Sequence, residues 1–139
     1  ESCTGGLLGG RLTELAGSSD YVLGGVISYA DRVKREQLGV PAELLASFGA
    51  VSEPVAQAMA EGVRERLGAT YGVSVTGIAG PGGATPDKPV GLVYVGCAAP
   101  SGTLVRRHEF PGDRATVRAW SATAALHLLR QSVERLSGA

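Results

Sequence analysis

The 139-residue sequence predicts an α/β fold, a mixed sheet with helices on both faces, and three observations carry that reading. Helical and extended patterns alternate through the first half of the chain. Late in the chain, residues 90–97 and 104–110 are two strand-like runs joined through Pro100-Ser101-Gly102, which reads as an antiparallel hairpin. The composition, 44% hydrophobic and 19% charged, is that of an ordinary globular domain, and a single domain of this length buries enough surface to need no staples.

The elements follow in order. Glu1-Ser2-Cys3-Thr4-Gly5-Gly6 leads into Leu7, Leu8, Leu12 and Leu15 at helical spacing, so the Thr-Gly-Gly step reads as a helix start. Unpaired N–H groups, the helix dipole and glycines that admit close approach make that start a candidate anion site. A plain Thr4 cap followed by a tight turn accounts for the same residues, and both readings stay open here. After the turn-rich Ala16-Gly17-Ser18-Ser19-Asp20, residues 21–29 carry β-branched and aromatic side chains and predict a buried strand. Asp31 caps a short helix through Leu38 that Gly39 ends, and Pro41 opens a further helical turn. Ser52 and Pro54 start a third helix with the stripe Val55, Met59, Val63 and Leu67, stopped by Gly68. Residues 71–76 predict a strand that runs into the glycine-rich loop 77–89, and long structureless loops in compact domains are usually functional. Asp113 caps a long last helix carrying Val117, Trp120, Ala124, Leu128 and Leu136. A loop entering a helix normally follows a strand, so residues upstream of Glu1 are expected to complete the fold.

The 13 basic and 13 acidic residues cancel, which removes the electrostatic argument for nucleic acid as a partner. No apolar run approaches a membrane span and no signal-peptide pattern opens the chain, so it reads as cytoplasmic with no membrane partner. No group of His, Cys, Asp and Glu has metal-ligand spacing, so neither a metal nor a cofactor is expected. Cys97 falls in a predicted strand and reads as core. Cys3 stands beside the glycine step as a candidate nucleophile, since a thiol near a helix N-terminus has a depressed pKa.

With these segments placed, the chain resembles the C-terminal domain of the CinA (competence/damage-inducible protein) family, whose stand-alone members are nicotinamide mononucleotide deamidases of the PncC type. The matching motifs are Glu1-Ser2-Cys3-Thr4-Gly5-Gly6, Gly17-Ser18-Ser19, Ser28-Tyr29 with Lys34, Gly49-Ala50-Val51-Ser52-Glu53, Val75-Thr76-Gly77-Ile78-Ala79-Gly80-Pro81-Gly82-Gly83, Lys88-Pro89-Val90-Gly91 and Gly112-Asp113-Arg114. They run through nearly the whole chain in the family's order. The resemblance implies one domain over residues 1–139, a three-layer α/β/α fold with a mixed, mostly parallel sheet and the late hairpin, and a helix and strand before Glu1. It implies hydrolysis of the carboxamide of nicotinamide mononucleotide to nicotinic acid mononucleotide and ammonia, a step of pyridine-nucleotide recycling that uses no cofactor.

The family's nucleophile is assigned by this resemblance to Ser19, with Lys34 and Tyr29 as its partners. The chemistry agrees with a Ser-Lys arrangement: a serine attacking an amide needs a base, the chain has only two histidines, and a buried lysine can serve. Thr4, Gly5, Gly6, Thr76, Gly77 and Gly80 would offer donors to a phosphate or an oxyanion, unassigned between the two loops, and Arg114 would hold the phosphate. The expected partner is a small nucleotide substrate, with homo-oligomerisation left open. A different class of function, a catalytically inactive nucleotide-binding module linked to competence or DNA damage, would keep the fold without needing Ser19, Tyr29 and Lys34 together.

Overall fold

The computed structural model describes residues 1–136: α1 (Leu7–Leu12), a 3-10 turn (Ser18–Asp20), α2 (Asp31–Leu38), α3 (Ala42–Phe48), α4 (Glu53–Leu67), β1 (Gly72–Gly77), β2 (Leu92–Ala99), β3 (Gly102–Glu109) and α5 (Arg114–Leu136). The strands form one sheet in the order β1-β2-β3. Both pairings are antiparallel, with Val75 opposite Val95 and Val95 opposite Arg106. This corrects the mostly parallel sheet expected from the sequence. Parallel neighbours need a crossover connection, usually a helix, whereas β1 reaches β2 through a loop and β2 reaches β3 through a tight turn.

The strand expected over residues 21–29 does not form either. The segment is extended and pairs with no strand: its first residues bond back to the 3-10 turn, Val22 N donating to Ser18 O at 2.8 Å, and further on it meets Glu1, whose nitrogen donates to Val26 O at 2.8 Å and whose carbonyl accepts from Ser28 N at 2.7 Å. Its Tyr21, Leu23, Ile27 and Tyr29 are exposed, so the β-branched and aromatic pattern marks a surface strip.

Side-chain size sorts the faces of the sheet. Val75, Val93, Val95 and Cys97 point one way and pack with Val117, Ala125 and Leu128 of α5, joined by Leu8 of α1 and by Cys3. The opposite face is built from small residues that let α4 lie close. Ser74 Oγ donates to Ala56 O at 2.6 Å, and a Cβ at Gly72 would stand 2.3 Å from Ala60 O. On its other side α4 supports α2 just as closely. Val55 and Met59 pack with Leu38 and Val40, and a Cβ at Gly62 would fall 1.9 Å from Leu38 O. The caps follow the sequence reading at α5, where Asp113 Oδ1 accepts from Thr116 N at 2.9 Å, and at the end of α2, where Gly39 closes the helix at φ 70°; at the start of α2, Asp31 lies inside the helix and Ala30 takes the cap position without a side-chain bond. Beside β1, on the side away from β2, runs an apolar groove of about 650 Å³ that includes Leu12, Leu23, Met59 and Val73. No helix among the described residues is long and apolar enough to cross a membrane.

The contact at Gly62 reverses an ordinary preference. In a free helix Gly→Ala is stabilising by about 1 kcal/mol. Here the added methyl meets backbone, so Gly62→Ala is expected to destabilise the chain by about 1–3 kcal/mol, read as a lowered denaturation midpoint. An unchanged or raised midpoint would show that α2 can move away from α4 freely.

Candidate active site

Main-chain bonds fix the turn that follows Glu1. Ser2 N donates to Val75 O of β1 at 3.0 Å, Gly5 N to Ser2 O at 3.0 Å, and Leu7 N to Thr4 O at 3.1 Å. Gly5 and Gly6 make the turn with φ of 55° and 112°, values that side-chain-bearing residues rarely adopt. The donors at the start of α1 are not free. The Glu1 carboxylate accepts from Gly6 N at 3.1 Å, Leu8 N at 2.9 Å and Gly9 N at 2.9 Å. Burial alone would raise this carboxyl's pKa, but the bonds it receives outweigh that and hold it below its ordinary value. The chain therefore supplies its own anion where the sequence suggested a place for a ligand's. The Thr4 hydroxyl approaches that carboxylate closely enough to contribute, yet it makes no hydrogen bond of normal geometry and is fully buried.

The residue beside this turn is Lys34, from the face of α2 that also buries Leu38 one turn later. Only 1% of Lys34 is exposed. Its Nζ donates to Ser2 Oγ at 3.1 Å, Ser28 O at 2.7 Å and Tyr29 O at 3.2 Å. Desolvation lowers its pKa, while the Asp31 carboxylate and Cys3 pull the other way without restoring it. The geometry suits both protonation states. As an ammonium the amine donates to all three oxygens. As a neutral amine it keeps two hydrogens for the carbonyls of Ser28 and Tyr29, and its lone pair then faces the Ser2 hydroxyl proton. The group that can exchange a proton with Lys34 is thus Ser2.

Several expected site residues stand elsewhere. Ser19 is exposed on the 3-10 turn and is not among the partners of Lys34; in the Ser18–Asp20 turn it is Ser18 that is buried. Tyr29 meets Lys34 through its carbonyl, and its exposed phenol accepts from Arg114 Nη2 at 3.2 Å instead. Arg114 Nη1 donates to Gly80 O at 2.8 Å, so the start of α5 ties the glycine loop to Tyr29. Thr76 is buried with its hydroxyl spent on Ala50 O at 2.8 Å. Gly77 and Gly80 are required by packing: added Cβ atoms would lie 2.6 Å from Val93 Cγ2 and 2.5 Å from Val90 Cγ1. Cys3 is a buried thiol pushed up to about 11, chiefly by desolvation, which the nearby Arg118 does not offset. That reverses the depressed thiol pKa expected at a helix start.

Ser2 was not singled out in the sequence reading as a side-chain partner of Lys34. Its signal was present, since it is the hydroxyl directly before the Cys-Thr-Gly-Gly turn, and the spacing of Lys34 and Leu38 marks one buried helix face.

Lys34 should leave a mark on stability against pH. Its amine titrates lower in the folded chain than in the unfolded one, where an ordinary lysine lies near 10.4. Between those two values the unfolded chain binds the extra proton, so stability rises with pH. Lys34→Met lacks this titration, so its stability relative to the parent is expected to fall by up to about 1.4 kcal/mol per pH unit as pH climbs through that window. Denaturant midpoints from neutrality to alkaline pH measure it. A difference constant with pH would mean that burial does not depress the amine.

Comparison with known proteins follows the same residues. A family model described as the CinA C-terminal domain matches residues 1–133. The chain is 58% identical over 134 residues to a CinA-like protein of Mycolicibacterium gilvum and 54% identical over 138 residues to one of Gemmatimonas aurantiaca, covering 96% and 99% of this chain. It spans 32% of the length of each of those relatives. Among solved structures, it matches the competence/damage inducible protein CihA from Agrobacterium tumefaciens with a TM-score of 0.91 at 45% identity, over 94% of this chain and 80% of that one. A match to a CinA superfamily protein from Klebsiella pneumoniae 700603 has a TM-score of 0.92 at 33% identity, over 96% and 84% of the two chains. The chain belongs to the CinA C-terminal domain family.

Proposed function

We propose that this chain is an amidohydrolase that converts nicotinamide mononucleotide to nicotinic acid mononucleotide and ammonia, with Ser2 as nucleophile and Lys34 as its base. The observation that carries this is the buried Lys34 Nζ at 3.1 Å from Ser2 Oγ, with desolvation lowering the amine's pKa. A serine hydroxyl is a weak nucleophile until a base takes its proton, and a lysine can do so only when neutral.

The reaction then runs in two halves. Ser2 Oγ attacks the carboxamide carbon while its proton passes to Lys34. The amide nitrogen takes that proton as the C–N bond breaks, leaving as ammonia and an acyl ester on Ser2. Water attacks the ester, gives a proton to Lys34, and the carboxylic acid departs as the proton returns to Ser2 Oγ. Ser28 O and Tyr29 O hold the amine throughout, so only one of its positions exchanges a proton with substrate. Arg114, bound to Gly80 O and the Tyr29 phenol and paired with no carboxylate among the described residues, is the cation suited to the substrate phosphate. Homo-oligomerisation and a cytoplasmic location fit this reading but do not support it.

Ammonia release from nicotinamide mononucleotide tests the assignment. Ser2→Ala is expected to lower turnover by roughly a thousandfold or more while nucleotide binding stays within about tenfold, because the hydroxyl acts in the covalent step. Ser19→Ala is expected to keep turnover within about threefold, as a surface change away from the reacting groups. The opposite result for the pair would return the nucleophile to Ser19. Turnover of nothing by the parent chain, with the nucleotide still bound, would favour the binding module.

A further inference from the structure

We infer that Arg118 is a positioning residue that holds the nucleophile's turn against α5, a role that rests on the reading of Ser2 as nucleophile. Arg118 lies half-buried one helical turn after Arg114. Its Nε donates to Cys3 O at 3.0 Å and its Nη2 to Thr4 O at 3.1 Å. These are the two consecutive carbonyls that follow Ser2. A planar guanidinium can bridge both at once in a fixed spacing, which an ammonium cannot.

The rest of the turn is restrained through other groups. Ser2 N is held by Val75 O, and the Glu1 carboxylate takes the N–H groups of Gly6, Leu8 and Gly9. Between these two anchors the carbonyls of Cys3 and Thr4 depend on Arg118, apart from the bond Leu7 N gives to Thr4 O. Gly5 makes room for the contact: a Cβ there would stand 3.4 Å from Arg118 Nη2. Arg118 pairs with no carboxylate among the described residues, so its charge stays uncompensated beside the peptides of the reacting residue. Both bonds of its guanidinium go to main chain of the reacting turn itself. Losing it frees the turn to shift, and a displacement of about 1 Å at a reacting group can cost about a hundredfold in rate.

Arg118→Met tests this with nicotinamide mononucleotide and its phosphate-free riboside as substrates. The expected result is a kcat lowered about a hundredfold on both, with KM within about threefold and partial recovery on adding methylguanidinium. Unchanged kcat, or a KM raised for the mononucleotide alone, would overturn the inference, the latter by making Arg118 a phosphate ligand. A fluorophosphonate that phosphonylates serine provides a readout independent of substrate. In the parent it should label Ser2. In Arg118→Met it should reach the same final stoichiometry at least tenfold more slowly, which excludes simple unfolding as the cause. Equal labelling rates would overturn the inference, whereas a parent whose Ser2 is never labelled would overturn the assignment of Ser2 beneath it.

Discussion

Everything in this site depends on the cost of burying one amine. Lys34 is among the largest fully buried side chains of the chain. An ionised lysine out of water is expensive unless it is paired, and no carboxylate bonds it here; its partners are three neutral oxygens. Desolvation therefore moves such a group toward its uncharged form, the form that a base needs. That requires the surroundings of Lys34 to hold. α2 is seated on α4 through Gly62, and the Ser2 turn is seated on β1 through Val75 O. A fold that relaxed at either place would let water reach the amine and return its charge.

The distribution of charge follows the same logic. The net charge is zero, and the side-chain ion pairs among the described residues, Arg32–Glu36, Arg107–Glu109 and Arg130–Glu134, lie on exposed positions and involve neither Lys34 nor Arg118. Exposed pairs of that kind contribute little to stability. Arg118 holds carbonyls of the Ser2 turn and Arg114 holds the Gly80 carbonyl and the Tyr29 phenol, and neither pairs with a carboxylate among the described residues. The half-buried Glu1 carboxylate is consumed by N–H groups of the turn and α1.

Local patterns foretold the helices, the hairpin and the caps, because helix periodicity, Asp113 and Gly39 act on their immediate neighbours. What misled was anything decided by a distant partner. Residues 21–29 have strand chemistry, but a strand needs a neighbour along its length, and the main-chain bonds of this segment go to the single residues Ser18 and Glu1. The glycines of residues 77–80 looked like a cradle for phosphate and instead make room for Val90 and Val93. The start of α1 looked like an anion site and had already been filled from five to eight residues upstream. The family resemblance pointed to Ser19 as the partner of Lys34, whereas the fold closes a separation of 32 residues to put the Ser2 hydroxyl there. Polar residues at a site are chosen by the fold, and sequence distance carries little of that information.

The central claim is that Lys34 can be neutral where it meets Ser2, and the titration of its side chain measures this most directly. With only two lysines in the chain, selective labelling of the lysine ε-carbon gives a carbon NMR spectrum in which Lys34→Met identifies the signal. The account predicts a titration midpoint displaced from the ordinary value near 10.4 toward neutrality, with the signal perturbed when Ser2 is changed to Ala. A midpoint at or above the ordinary lysine value, unaffected by Ser2→Ala, would make Lys34 a permanent cation and contradict its role as the base.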